Sequence, residues 1–288
     1  MREISIEGCE LIGSGASGDV YRLDDEIVVK VYKKPDTLGK IQQEQYLSRR
    51  AFIKGIPTVI PFGIAKVGEK YGSLFEIANA QLLSAYISDH PQELDSIAAK
   101  YADFLNVFHS AEFSPDEVPS AKDRYISRLA DFAGYLPAEV HEKMAYLLHS
   151  MPDDFHALHG DIHPKNVMIS GGELLVIDLS SLSSGNRVFD FAVLFMNLIA
   201  FNEIDPNNIK FLGLDAETDR KIYAALLRKC FSEHDSGIED KIMTVGYMRL
   251  LYLLAVRKAG AEKYRQAGIE NVVKNLVSLC GRVDSLAV

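Results

Sequence analysis

Between Leu11 and Ile77 the hydrophobic positions come in short runs divided by turn residues. Leu11–Gly13 leads into a Gly/Ser-rich turn, and Asp19–Leu23 is short and mixed. After Asp24-Asp25-Glu26, residues Ile27–Tyr32 are rich in β-branched side chains. That pattern predicts strand–turn–strand hairpins. From Thr37 to Ile53 the period changes, because Ile41, Glu44, Leu47 and Ala51 recur at three- or four-residue spacing, as on one face of a helix. Two β-prone runs follow, Thr58–Ala65 and Ser73–Ile77. Beyond Gln81 helical periodicity takes over in Asp95–Ala111, Ala121–Gly134, Ala138–Ser150, Val188–Phe201, Ala216–Phe231, Glu239–Gly260 and Tyr264–Cys280. It is interrupted by β-like pieces at Val167–Ile169 and Glu173–Ile177. The expectation is an α+β chain with a small β-rich N-terminal lobe, residues 1–77, and a larger, mostly helical lobe, residues 78–288. A short connection near Ala78-Asn79-Ala80 divides them.

Composition narrows the classes. Hydrophobic residues are 48% and charged residues 25%, which supports a packed core and excludes a wholly disordered chain. Asp+Glu number 40 against Lys+Arg 31, and a net charge of -9 argues against a nucleic-acid partner. The most apolar stretch, Phe191–Phe201, is broken by Asn197 and is too short to span a bilayer, so no membrane partner is expected. Cys9, Cys230 and Cys280 are odd in number and widely spaced, which fits a reducing compartment better than a disulfide framework or a zinc site. With no apolar segment near Met1, a cytoplasmic protein is expected. Oligomeric state is not readable.

Three stretches carry chemistry. Gly13-Ser14-Gly15-Ala16-Ser17-Gly18-Asp19-Val20 matches G-x-G-x-x-G-x-V. A dinucleotide fingerprint needs a helix after the glycines, whereas here a second strand follows. The pattern therefore fits a hairpin tip whose backbone N–H groups approach phosphate oxygens, or an ordinary glycine-rich hairpin. Lys30 lies inside an apolar strand on the same face as Val28, and Glu44 lies inside the apolar stripe of the next helix. Two opposite charges on inward faces suggest a pair, although an edge lysine and a solvated glutamate would look the same.

The third stretch is His159-Gly160-Asp161-Ile162-His163-Pro164-Lys165-Asn166, followed by Val167-Met168-Ile169, a Gly171-Gly172 turn and Leu174–Asp178. Asn166 and Asp178 supply hard oxygen atoms of the kind Mg²⁺ takes together with phosphates and water. Asp161 is placed to orient an attacking hydroxyl and accept its proton. His163 is a candidate phosphate contact, and by chemistry equally a metal ligand, but no second His or Cys stands at metal spacing.

Taken together and in this order, the glycine loop, the strand lysine, H-x-D-x-x-x-x-N and the following Asp resemble the protein-kinase-like superfamily. The likeness is greatest to its small-molecule branch, the aminoglycoside phosphotransferase and choline kinase type. The resemblance implies a bilobal protein-kinase-like fold with Asp161 as catalytic base and Asn166 and Asp178 as Mg²⁺ ligands. It implies that Lys30 contacts the α- and β-phosphates, with Glu44 as its helix partner. Gly13, Ser14, Gly15, Ser17 and Gly18 form the phosphate loop. Ile12, Val20, Val28, Met168 and Ile177 resemble the adenine walls, and Phe75-Glu76-Ile77 the strand leading into the hinge. Beyond Asp190 the match is only that both are helical. The departures are informative: Leu179-Ser180 stands where protein kinases have Phe-Gly, no Ala-Pro-Glu follows, and twelve positions separate Asp178 from Asp190. Asp190 itself reads as structural.

The expected activity is Mg²⁺-dependent transfer of the γ-phosphoryl group of ATP, with GTP as the alternative nucleotide. The acceptor is a hydroxyl of a small molecule such as an aminoglycoside, amino sugar, sugar or choline-like metabolite. The rival readings are a nucleotide-binding regulatory pseudokinase and a protein Ser/Thr kinase. Acids between Asp215 and Asp240 would suit a cationic acceptor, but interleaved Arg220, Lys221, Arg228, Lys229 and Lys241 favour a solvated helical face. Tyr223, Tyr247 and Tyr252 are candidates for an aromatic cage around a choline-type acceptor.

Overall fold

A computed structural model of the chain describes residues 1–15, 17–34, 38–205, 209–231 and 237–288, with backbone alone for 209–210. The chain forms two compact units. One is Met1–Gln81 with Asn166–Leu182, the other Leu82–Lys165 with Ser183–Val288. The first unit therefore runs four residues past the expected boundary at 77. It also takes in a later segment that periodicity along the chain assigns to the helical part.

The first unit is built on a six-stranded sheet of β1 (Arg2–Ile4), β2 (Glu10–Ser14), β3 (Gly18–Arg22), β4 (Ile27–Tyr32), β5 (Pro61–Val67) and β6 (Lys70–Glu76), in the order β1-β5-β6-β4-β3-β2. Only the β1–β5 pairing is parallel. β1 has no sequence signal of its own beyond Ile4, because a three-residue edge strand is too short for alternation to show. Along β4 the side chains alternate between two environments. Val29 and Val31 join Ala65, Val67 and Leu74 in an apolar core. Lys30 and Tyr32, on the other face, meet Glu44 of α1 (Leu38–Ile53). That helix buries the expected Ile41, Glu44, Leu47 and Ala51, and also Gln45 and Ser48. β9 (Val167–Ser170) and β10 (Glu173–Val176) form an antiparallel hairpin around Gly171 and Gly172, whose φ of 57° and 88° favour residues without Cβ. Val176 ties this hairpin to the segment before β5: its N–H donates to the Pro57 carbonyl (2.9 Å), and its carbonyl accepts from Thr58 Oγ1 (2.8 Å).

β7 (Gln81–Leu82) starts on the last residue of the first unit's main segment, and in the second unit β8 (Ala157–Leu158) and β11 (Ser183–Ser184), of two residues each, pair antiparallel. The second unit is otherwise helical: α2 (Leu83–Asp89), α3 (Leu94–Ser110), α4 (Ala121–Ile126), α5 (Ala138–His149), α6 (Val188–Phe195), α7 (Phe201–Ile204), α8 (Ile209–Leu212), α9 (Ala216–Cys230), α10 (Ile238–Leu251) and α11 (Glu262–Cys280). Every residue of α6 is buried, Asp190 included, as a helix apolar at its other seven positions requires. Three expected helices are broken. α4 stops at Ile126, where the Ser127 hydroxyl donates to the Arg124 carbonyl, and a 3₁₀ turn follows at Leu129–Phe132. α6 and α10 each pass into a π turn, at Met196–Ala200 and Tyr252–Val256. Among the described residues no helix is long and apolar enough to cross a membrane.

Gly246 lets α10 approach α6. A Cβ there would lie 2.6 Å from Phe195 Cδ1 and 3.1 Å from the Ala192 carbonyl oxygen. Gly246→Ala gains about 1 kcal/mol of helix propensity, but overpacking costs about 1–3 kcal/mol. The packing effect wins because a backbone atom cannot step aside as a side chain can. Urea unfolding should therefore show a lower midpoint for Gly246→Ala, and a raised midpoint would contradict the close approach.

Candidate functional site

In the first unit the β4 lysine is nearly buried and held by two carboxylates. Lys30 Nζ lies 2.9 Å from Glu44 Oε1 and 3.4 Å from Asp178 Oδ1. Burial alone would push its pKa down. The two carboxylates outweigh that and leave it raised, so the ammonium stays charged. Glu44 is only 4% exposed and its second oxygen accepts from the Tyr32 hydroxyl at 2.6 Å, which also meets Ser73 Oγ at 3.0 Å. Burial and the Glu44 carboxylate raise the Tyr32 pKa, so Tyr32 remains a neutral donor. The expected Lys30–Glu44 pair is thus formed, and Asp178 joins it.

Asp178 follows β10 with φ 59° and ψ 58°, a left-handed conformation that non-glycine residues seldom adopt and that collects at functional sites. Its Oδ1 also accepts from Ser180 Oγ at 3.1 Å. The Asn166 carbonyl accepts from Ile177 N–H at 3.0 Å, which sets Asn166 beside the strand end that carries Asp178. Two hard oxygen donors at the open end of one hairpin suit a cation that draws its other ligands from phosphate and water.

The glycine segment is the tip of the β2–β3 hairpin. Gly13 pairs with Val20 and Ser14 with Asp19, with a register slip at Ile12, and Gly15 N–H donates to the Gly18 carbonyl at 2.9 Å. Ser14 Oγ donates to Asp19 Oδ1 at 2.6 Å, and Lys33 Nζ reaches the Gly15 carbonyl at 2.6 Å. The Ser14 hydrogen bond and the Lys33 ammonium hold the Asp19 carboxyl below its usual range. Gly18 admits no Cβ, which would stand 2.6 Å from the Val31 carbonyl oxygen. Ser17 and Ile12 are exposed, Val20, Met168 and Ile177 half-buried, and Val28 buried. At the expected hinge the backbone donors are already used. Glu76 N–H bonds the Ile60 carbonyl (2.9 Å) and Ile77 N–H the Glu26 carbonyl (2.7 Å), so neither N–H is left for a base. The register of β6 consumes them, and that register cannot be read from local sequence.

In the second unit the His159–Lys165 loop follows β8 and is organised by one buried carboxylate. Asp190, in the first turn of α6, is fully buried. Its Oδ2 accepts from His159 N–H (2.8 Å) and meets His109 Nε2 (3.0 Å), while Oδ1 accepts from Gly160 N–H (2.8 Å). Burial pushes its pKa up, but the His109 hydrogen bond, the charges of His109 and His159 and the Gly160 N–H bring it below the ordinary carboxylate value. Asp190 braces the loop as expected, and does so without capping α6. Gly160 sits at φ 76°, and the next residue, Asp161, carries its side chain 43% exposed. His163 is buried, with Nε2 4.0 Å from Asp161 Oδ2, and its Nδ1 accepts from Lys165 N–H at 3.2 Å.

Sequence reasoning missed Arg249 of α10. Its Nη2 donates to Asp161 Oδ1 at 3.0 Å, and only 14% of its side chain is exposed. The available signal was a charge inside the apolar run Val245–Val256, the same signal that singled out Lys30.

The sequence model of the phosphotransferase enzyme family matches residues 8–221, most of the chain. The chain belongs to the phosphotransferase enzyme family. No curated protein sequence matches it. Among solved structures, a thermostable mutant of aminoglycoside phosphotransferase APH(4)-Ia is similar at 13% identity and TM-score 0.63, over 95% of this chain and 94% of that one. A streptomycin–ATP complex of APH(2")-IIa is similar at 16% identity and TM-score 0.62, over 94% and 93%. Choline kinase LicA from Streptococcus pneumoniae is similar at 18% identity and TM-score 0.56, over 95% and 96%. The fold is therefore the α+β kinase-like fold, and by its family the chain is a phosphotransferase.

Two acceptor cues in this phosphotransferase come out differently from their sequence appearance. Tyr223 and Tyr247 are buried against Phe195, and the Tyr252 ring lies under the Arg128 guanidinium at 4.2 Å, so these three do not line a cage for a quaternary amine. Of the acids between 215 and 240, Asp215 caps α9 by accepting from Glu217 and Thr218 N–H, and Glu217 pairs with Lys221 at 2.8 Å. Asp219 is buried against Asn202, and burial raises its pKa to about 7. Glu233 and Asp235 lie outside the described residues. A cavity of about 230 Å³, lined among others by Asn197, Phe201, Phe211, Leu254 and Arg265, borders the loop, since the Phe211 ring meets His163 at 5.2 Å.

Asp190→Asn should lower stability at neutral pH by about 3 kcal/mol, because it removes the charge that His109 and two N–H groups are arranged around. Asp190 has a depressed folded pKa. Its contribution is fully present above the unfolded value of 3.8 and is lost as pH falls through the lower folded value. Denaturation curves from pH 7 to 3 should show the gap between wild type and Asp190→Asn constant down to about 3.8 and narrowing below it. A gap that closed near pH 6 would contradict this assignment.

Proposed function

We propose that the chain transfers the γ-phosphoryl group of ATP, or alternatively GTP, to a hydroxyl of a small molecule. In this reading Gly13, Ser14, Gly15, Ser17, Gly18 and Lys30 engage the phosphates, and Glu44 keeps Lys30 charged and fixed. Asn166 and Asp178 hold Mg²⁺, which supplies charge neutralisation on the phosphates. Asp161 orients the hydroxyl and accepts its proton as the acceptor oxygen bonds to the γ-phosphorus and ADP departs with its bridging oxygen. Ile12, Val20, Val28, Met168 and Ile177 form the apolar surfaces for the base. Glu76 and Ile77 lead into the hinge that meets the base, with their own N–H groups bonded to the Ile60 and Glu26 carbonyls. His163, buried beside Asp161, is the further candidate for a phosphate contact.

The observation that carries this reading is the half-exposed Asp161 carboxylate on a loop whose preceding backbone is fixed by a buried Asp190. A positioned base is what phosphoryl transfer asks of the protein, since catalysis there is mostly alignment and charge stabilisation. A small acceptor is supported by the chain after Asp178, which passes through a 3₁₀ turn at Leu179–Ser181 and β11 into α6 by Val188. That leaves no segment long enough to hold a peptide.

Asp161→Asn should lower kcat by about 10²–10⁴-fold and leave the ATP dissociation constant within a few-fold of wild type. ADP release with acceptor, read beside nucleotide titration, checks both. Turnover within tenfold of wild type would remove Asp161 from the role of base.

A further inference from the structure

Asp161 has cationic company that a pocket for a cationic acceptor would avoid. Arg249 donates to Asp161 directly at 3.0 Å. Three residues further along α10 and its π turn, Tyr252 carries the guanidinium of Arg128 on its ring. Arg128 lies one turn beyond Arg124, just after the end of α4. The Arg124 guanidinium is held below its ordinary value by burial and then by repulsion from Arg128 and Arg249, and the attraction of Asp190 is a smaller influence. Between them, Tyr125 is buried and feels the charge of all three arginines. Its hydroxyl lies against the Arg249 guanidinium, and the buried Nε of Arg249 meets hydrogen-bond geometry with no described group. A buried donor without an acceptor is costly, and guanidinium groups that repel one another even with Asp161 beside Arg249 would be eased by a further anion.

We propose that Arg124, Arg128 and Arg249 form an anion subsite for the acceptor, so that the molecule whose hydroxyl meets Asp161 also carries a carboxylate or a phosphate. The inference rests on Asp161 acting at the acceptor and narrows the substrate class within that reading. Guanidinium groups suit either anion, because their planar fork matches both carboxylate and phosphate oxygens. An ammonium-rich amino sugar or a quaternary amine would instead meet like charge beside the base. The same geometry gives Arg249 a second effect. Without substrate it occupies Asp161, and an incoming anion competes for its donors and frees the carboxylate to take the hydroxyl proton.

The test has two arms. In the turnover arm, ADP formation is measured with glycerol, glycerate, glycerol 3-phosphate and ethanolamine, and with ribose, ribonate, ribose 5-phosphate and kanamycin. The expected result is a kcat/KM at least tenfold higher for an anionic member than for its neutral parent. In Arg128→Gln and Arg124→Gln that ratio should fall towards one, while ATP affinity holds. Carboxylate and phosphate members separate the two anion sources. In the binding arm, inorganic phosphate and glycerol 3-phosphate are titrated into the nucleotide-free protein. Binding should weaken at least tenfold in Arg128→Gln and survive in Lys30→Met. Anion binding without ADP formation from any acceptor would uphold the subsite while ending the phosphotransfer reading. Turnover confined to kanamycin or ethanolamine would overturn the subsite, as would anion binding that Lys30→Met abolishes and Arg128→Gln spares.

Discussion

A carboxylate with no exposed surface is the constraint on which the helical unit depends. Left alone, Asp190 would be several kcal/mol out of place in a protein interior. It is tolerated because His109 of α3 and the N–H groups of His159 and Gly160 all converge on it. Each of those groups would in turn be an orphan without the carboxylate. The mutual requirement locks α3, α6 and the loop before Asp161 into one arrangement. Asp161, the base in the proposed reaction, is left outside that network, half-exposed and one residue beyond its edge.

The sheet unit handles its own buried charge by the same logic. Lys30 interrupts a strand that is otherwise apolar, and Glu44 from α1 is its closer partner, with Asp178 from the end of β10 beside it. Tyr32 and Ser73 take up the second Glu44 oxygen and complete the set. Strand, helix and hairpin are therefore fixed by polar contacts on one face of the sheet and by Val29, Val31, Ala65, Val67 and Leu74 on the other. The apolar side supplies most of the driving force, and the polar side specifies where one cation sits.

Much of this was legible in the sequence because charges misplaced in a hydrophobic pattern are conspicuous. Lys30 in a β-branched run and Glu44 in a helix stripe could be matched before any coordinates, and the H-x-D-x-x-x-x-N spacing marked the loop. The illegible features depend on register and on distant partners. Nothing in Phe75-Glu76-Ile77 says which carbonyls of the neighbouring segments lie opposite the Glu76 and Ile77 N–H groups. The cage tyrosines looked available because aromatic residues at helical spacing do not reveal whether they face a ligand or Phe195. Arg249 stands inside an apolar run, but its partner Asp161 lies 88 positions away, beyond what local pattern can match. The breaks in α6 and α10 left no Gly or Pro to announce them.

The backbone at Asp178 has a consequence for how such a protein can drift. Among ordinary side chains, asparagine tolerates left-handed φ and ψ about as readily as aspartate does. An acid-to-amide replacement there would keep the local chain path and nearly the same volume, while taking away a negative oxygen. Lys30 would still have Glu44 to rest against. In the proposed reading, loss of chemistry and loss of fold are thus decoupled at this position, and a descendant could cease to turn over nucleotide with little mark on its melting curve.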